Sequence, residues 1–162
     1  MSTMIEPTPL PTRHAVRTLI QGLVGRDLDL RDGEPIMPRP SNLVAAYVTD
    51  KMQVAVAIVL DIECAARLGG SLGMLPRGGV DDAIKEVDVS GLLRDNTFEV
   101  MNVLAAVFNV ENAPHVRLYD LYGPMSAVPT DVLALTQLAG SRMDLEIDVA
   151  GYGAGHLSII VR

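Results

Sequence analysis

Among its 162 residues the chain has no Trp, a single Cys and only 4% aromatic residues. A core without large rings must be assembled from Val, Leu, Ile, Ala and Met, and with 49% hydrophobic residues there are enough of them. The lone Cys64 excludes an intrachain disulfide framework and fits a reducing compartment. It reads as a small core residue. Basic residues are scarce as well: 13 Lys and Arg stand against 20 Asp and Glu, a formal charge of −7 with no basic run anywhere. That balance argues against nucleic acid or an anionic membrane as partner. The most apolar stretch, Val54 to Leu60, is far too short to span a bilayer, and the N-terminus lacks a basic segment followed by an apolar run. The cytoplasm is the expected location.

What is present suits one domain, since this length buries a single substantial core. Residues 1–12, rich in Pro, Ser and Thr, read as a flexible leader, with Thr12 placed to cap the first helix. Residues 13–162 form the domain. From Arg13 to about Leu30, Ala15, Leu19, Leu23 and Val24 give a partly helical pattern, and the prolines of Arg31 to Pro40 imply an irregular crossing. Asn42 to Asp61 is rich in Val and Ile and reads as two strands with a tip at Asp50-Lys51. Ile62 to Met74 reads as a helix, broken at Pro76-Arg77-Gly78-Gly79.

Asp81, Asp82, Glu86 and Asp88 crowd together but lack the spacing of a calcium loop, so no metal is expected there. Ser90 is placed to cap a helix from Leu92 to about Asn109, and His115 to Tyr122 has strand character up to Gly123-Pro124. Thr130 and Asp131 suit the start of a short helix running to Leu138. Met143, Leu145, Ile147 and Val149 alternate with Asp144, Glu146 and Asp148, the pattern of a half-buried strand with an acidic solvent face. The glycines at 151, 153 and 155 lack a following helix and the Lys-Ser/Thr of a nucleotide loop, so they read as the turn of a hairpin with His156 to Arg162. The three histidines have no metal-ligand spacing, and no GxSxG motif is present.

The most informative stretch is Asp95-Asn96-Thr97-Phe98-Glu99-Val100-Met101-Asn102. At about 100° per residue, Asp95, Glu99 and Asn102 fall within an arc of roughly 60°. Ala106 and Asn109 continue that stripe, while Leu93, Val100, Met101, Leu104, Val107 and Phe108 lie opposite. A stripe of this kind is most simply a solvated edge. It carries acids and amides but no Lys or Arg, however, and small Ala106 sits where bulk would obstruct a partner, which suits insertion into another protein's cleft.

Its spacing resembles the signature of the CheC/CheX/FliY chemotaxis phosphatases: Asp or Ser, three residues, Glu, two residues, Asn, twenty-one residues and Pro. Asp95, Glu99, Asn102 and Pro124 stand at those intervals. No second Glu-x-x-Asn helix is found, so the single-site, CheX-like version is the closer resemblance. It implies an α/β fold of the α+β type, with helices packed on a largely antiparallel sheet. It also implies dephosphorylation of the phospho-aspartate of a CheY-type receiver. Glu99 and Asn102 would be the catalytic pair: Asn102 would orient the attacking water and Glu99 would pair with the receiver's lysine. Asp95, Asn109 and Pro124 would be supporting positions. No cofactor is implied on this chain, because the Mg2+ belongs to the receiver. Resemblance to CheX-like proteins, together with the terminal β segments, leads to the expectation of a homodimer formed through a strand edge. Two other functions compete: a non-catalytic receiver-binding or scaffold domain of the same fold, and a small-molecule-binding domain.

Overall fold

The computed structural model describes residues 7–162. Of the expected leader, residues 1–6 lie outside the described residues, and Thr8 and Pro11 are buried. The Thr12 side chain accepts a hydrogen bond from the amide of Ala15 at 3.0 Å and starts α1 (Arg13–Val24). This helix is shorter than the sequence suggests. Gly25 adopts a left-handed conformation (φ 69°) and returns its N–H to Gln21, a stop that favours glycine. The next residues form β1 (Leu28–Asp32), with Leu28 and Leu30 inward.

β2 (Leu43–Thr49) and β3 (Val54–Leu60) form the expected antiparallel hairpin. Asp61 caps α2 (Ile62–Leu72), its carboxylate accepting from the Cys64 amide at 2.8 Å. The expected break at Pro76 to Gly79 is instead the entry to α3 (Arg77–Glu86), with Pro76 at its N-cap and Val80 buried. Proline is tolerated at such a start because the first amides of a helix have no internal partner. The acidic residues Asp81, Asp82 and Glu86 therefore belong to a helix, not a loop.

α4 (Gly91–Leu104) continues into a 3-10 turn at Ala105–Val107. Ser90 stands at its N-cap but makes no side-chain capping bond. β4 (Val116–Tyr122), α5 (Thr130–Thr136), β5 (Arg142–Val149) and β6 (Gly153–Val161) complete the chain. Pro129 takes the N-cap of α5, so Thr130 and Asp131 lie inside the helix.

The six strands form one antiparallel sheet in the order β1-β5-β6-β3-β2-β4. Two expectations change here. The terminal strands β5 and β6 are interior, and the free edges belong to β1 and β4. The acids of β5 are not a uniformly solvated row either: Asp144 binds Arg142 at 2.9 Å and accepts from the Ser158 hydroxyl at 2.6 Å, whereas Asp148 is exposed.

Strand alternation divides the apolar residues between the two faces. Leu43, Ala45, Tyr47, Ile58, Leu60, Ile147 and Ile159 face α1 to α4 in the main core. Val44, Ala46, Ala57, Val59 and Ile160 face the other way, under Val132 and Leu135 of α5. Glycine lets the elements of the first layer approach closely. A Cβ on Gly155 would lie 2.4 Å from the Cys64 amide nitrogen, and one on Gly69 would lie 2.4 Å from the Thr97 hydroxyl and 2.8 Å from the Leu93 carbonyl. α2 is thereby pressed onto both β6 and α4.

Candidate functional site

α4 is held on its buried side by polar as well as apolar contacts. Leu93, Val100, Met101 and Leu104 are buried. Thr97, fully buried, donates its hydroxyl toward the Ala65 and Leu93 carbonyls at 2.9 Å. Asn96 donates to the Gly69 carbonyl at 3.1 Å. At the C-terminal end the Ala105 amide turns to the carbonyls of Asn102 and Val103, tightening the helix into its 3-10 turn. The Met101 carbonyl accepts from the Tyr47 hydroxyl of β2 at 2.6 Å. A buried phenol thus fixes the residue directly before Asn102.

The stripe itself faces solvent: Asp95, Glu99, Asn102, Ala106 and Asn109 are all exposed. Their side chains differ in what they do. The Asn109 amide donates to the Val116 carbonyl at 2.9 Å and accepts from the Val116 amide at 2.8 Å, so it clamps the start of β4. Arg94 turns away from the stripe and donates to the carbonyls of Leu121 and Gly123. Asp95 and Glu99 have no ion-pair partner among the described residues. Asp95, Glu99 and Asn102 are therefore the polar side chains of this helix left over once the fold is assembled.

Pro124 is half-buried and follows Gly123, the residue whose carbonyl Arg94 holds. The peptide between Gly123 and Pro124 is cis. Gly123 has φ 84°, and a Cβ there would lie 2.3 Å from the Asn42 carbonyl. The distant proline is thus tied to the first turns of α4 through Arg94.

Two sizeable cavities lie away from α4. One of about 510 Å3 sits on the α5 side of the sheet, between α5 and the segment around Pro35 to Pro40, and one of about 440 Å3 adjoins Asp61 and His156. Neither is lined by α4. No group of three or more His, Cys, Asp or Glu residues able to hold a metal is found among the described residues.

No family model matches the sequence, and no curated protein matches it. Solved structures do match the fold. The middle domain of FliM from H. pylori superimposes with a TM-score of 0.53 at 13% identity, over 91% of this chain and 83% of that one. FliY from Thermotoga maritima gives a TM-score of 0.52 at 9% identity, over 90% and 82%. The chain has the fold of FliY. A CheX bound to CheY with BeF3 and Mg2+, from Borrelia burgdorferi, gives 0.49 at 11% identity, over 91% and 93%. The architecture shared with FliY and FliM is the α+β arrangement that the family resemblance implied, with helices on an antiparallel sheet.

Within that fold, sequence reasoning located the helix and its exposed stripe but not the residues that support it. Tyr47 and Arg94 carried no helical or strand signal beyond their own propensities. Gly69, inside α2, marks where that helix lets α4 approach.

Proposed function

We propose that this protein dephosphorylates the phospho-aspartate of a CheY-type response-regulator receiver. The observation that carries the reading is the division of labour on α4. Arg94, Asn96 and Thr97, with Asn109 just beyond the helix, are spent on the fold, while Glu99 and Asn102, at the spacing of the phosphatase signature, are exposed and have no side-chain partner among the described residues.

Acyl phosphate hydrolysis needs an in-line water and stabilisation of charge on the phosphoryl oxygens. Asn102, inserted beside the phosphoryl group, holds the water through its amide without adding negative charge. The water oxygen bonds to phosphorus, the bond from phosphorus to the aspartyl oxygen breaks, and the aspartate leaves as carboxylate with inorganic phosphate as the other product. Glu99 would be repelled by the phosphate and so faces a cation, the receiver's lysine. Mg2+ is the receiver's own. Asp95, at the start of the stripe, supports that contact. Cytoplasmic placement and self-association as a homodimer complete the proposal. No helix among the described residues is long and apolar enough to cross a membrane.

The middle domain of FliM matches the fold as well as FliY does, with TM-scores of 0.53 and 0.52. That favours a second reading, a receiver-binding or scaffold domain without hydrolytic activity. The deciding experiment follows the acyl phosphate of the cognate receiver with and without this protein. Accelerated decay supports the phosphatase, and unchanged decay on a receiver that binds supports the scaffold.

A further inference from the structure

On the face of the sheet away from α4 the covering helix is α5, and it has only 7 residues. Beside it part of the sheet stays uncovered. The cavity of about 510 Å3 lies there, over Val44 and Val59, with Ile36, Val128 and Leu133 as apolar walls. Its size falls within the range of small-ligand sites, about 300–1,000 Å3. The walls are fixed from both sides. One is the crossing segment, stiffened by Pro35, Pro38 and Pro40. It is pinned where the Pro40 carbonyl accepts from the Met125 amide at 2.7 Å and the Met37 carbonyl from the Asn42 side chain at 2.9 Å. The other is the end of α5, where Arg142 donates to the Leu138 carbonyl at 2.8 Å.

The polar groups at this cavity are of one kind. None of the described residues lining it is Asp or Glu, in a chain that has 20 of them. Arg142 is already neutralised, since it pairs with Asp144 at 2.9 Å and both side chains are largely buried. Arg39, by contrast, is exposed and has no ion-pair partner among the described residues. The Ser126 hydroxyl oxygen accepts from the Gly123 amide at 2.8 Å, which leaves the hydroxyl hydrogen to donate. Gln137 adds an exposed amide at the rim. The cavity of about 440 Å3 on the other side of the crossing segment is the opposite case, because Glu34, Asp61 and Glu63 line it. Arg39 stands between the two.

We propose that the larger cavity binds a small apolar carboxylate, with the ligand's chain on Val44, Val59 and Leu133 and its carboxylate on Arg39 and the Ser126 hydroxyl. Charge and donors select this class. A carboxylate brings the negative charge that the lining lacks and takes two parallel hydrogen bonds from a planar guanidinium. A neutral alcohol of the same length leaves Arg39 unpaired, and an amine meets it with like charge. Walls held in place before binding lower the cost of ordering the site around the ligand. The site lies across the sheet from Glu99 and Asn102, so the inference stands apart from the phosphatase reading.

Octanoate is the probe, with octanol as its neutral counterpart. Calorimetry on the full chain is expected to show saturable binding of octanoate and binding of octanol about tenfold weaker, the scale of one charge-assisted hydrogen bond. Arg39→Gln keeps a polar side chain and removes the charge. It should weaken octanoate about tenfold and leave octanol unchanged. Leu133→Asp, at a residue 38% exposed, sets a carboxylate in the acid-free lining and should abolish octanoate binding. Should that variant fail to fold, Arg39→Gln decides alone, because Arg39 is exposed. Amide shifts of the labelled protein locate the ligand: changes centred on Val44, Val59 and Val128 support the site, and changes confined to exposed Leu92 and Phe98 of α4 overturn it. Octanoate that does not saturate overturns the proposal. Equal affinity for octanol, or unchanged octanoate affinity in Arg39→Gln, overturns the assignment of a carboxylate to Arg39.

Discussion

The Tyr47 hydroxyl donates to the main-chain carbonyl of Met101 at 2.6 Å, joining a strand in the middle of the sheet's β3-β2-β4 half to the helical residue before Asn102. Tyr47 is fully buried, and its ring packs against Phe108 with centroids 5.7 Å apart. Tyr47→Phe keeps that packing and removes only the donor. The Met101 carbonyl is then buried without its partner, at a cost of about 1–3 kcal/mol. Denaturant unfolding is expected to show that loss with an unchanged slope. Equal stability of the two proteins would mean that the bond contributes nothing.

The same burial makes the fold sensitive to alkali. Desolvation pushes the Tyr47 hydroxyl well above its ordinary value of 10.0 and the Cys64 thiol well above 9.0. In the unfolded chain both groups release protons near those ordinary values, while the folded protein retains them. Stability from these two groups is therefore complete below about pH 8.5 and declines as pH rises through 9 and then 10. Urea midpoints measured from pH 7 to 11 are expected to fall in that window. Tyr47→Phe should reduce the decline above pH 10, and Cys64→Ala the part that begins near pH 9. A flat profile would contradict the assigned burial effects.

Legibility in the sequence followed the range of the interaction. The β-branched content of Val54 to Leu60 and the alternation of Met143 to Val149 revealed β3 and β5, because both signals are local. The stripe on α4 was visible for the same reason. β1 was hidden because only its first and third residues face the core, and its role depends on β5, more than a hundred residues away in sequence. Strand order was hidden too, so the terminal hairpin gave no sign that it lies inside the sheet. At the site, exposure of Glu99 and Asn102 followed from helical periodicity. The engagement of Asn109 by Val116, which makes it a clamp, depends on a turn that periodicity does not describe.

The sheet edges indicate how two copies would pair. On β4, both backbone groups of Val116 are taken by Asn109, and the carbonyls of Leu121 and Gly123 beyond it by Arg94. β1 is the freer edge. Two β1 strands related by a twofold at Leu30 would place Asp29 opposite Arg31 of the other copy, an opposite-charge pair of the kind that favours a register. Sedimentation is expected to show a dimer, and Arg31→Glu, which sets like charges opposite each other, to shift it toward monomer. A wild-type monomer at working concentration would refute the pairing. A dimer unaffected by Arg31→Glu would move it to another surface.

Asn102 and Glu99 should fail in different ways. The Asn102 amide is exposed and makes no contact that the fold needs, so Asn102→Ala is expected to change stability by less than about 0.5 kcal/mol. If the amide only holds the attacking water, its loss removes stabilisation that exists at the transition state, lowering kcat with little change in receiver affinity. A fall of about a hundredfold, roughly 2.7 kcal/mol, is the expected scale for losing one positioned group. If Glu99 pairs with the receiver's lysine as proposed, Glu99→Ala removes one half of that charge pair, so it should weaken binding and reduce the salt dependence of association as well as turnover. Stopped-flow decay of the receiver's acyl phosphate, at subsaturating and saturating receiver, separates the two. Full activity in Asn102→Ala would remove the water-holding role, and a Glu99→Ala protein with unchanged affinity and salt dependence would remove the lysine pairing.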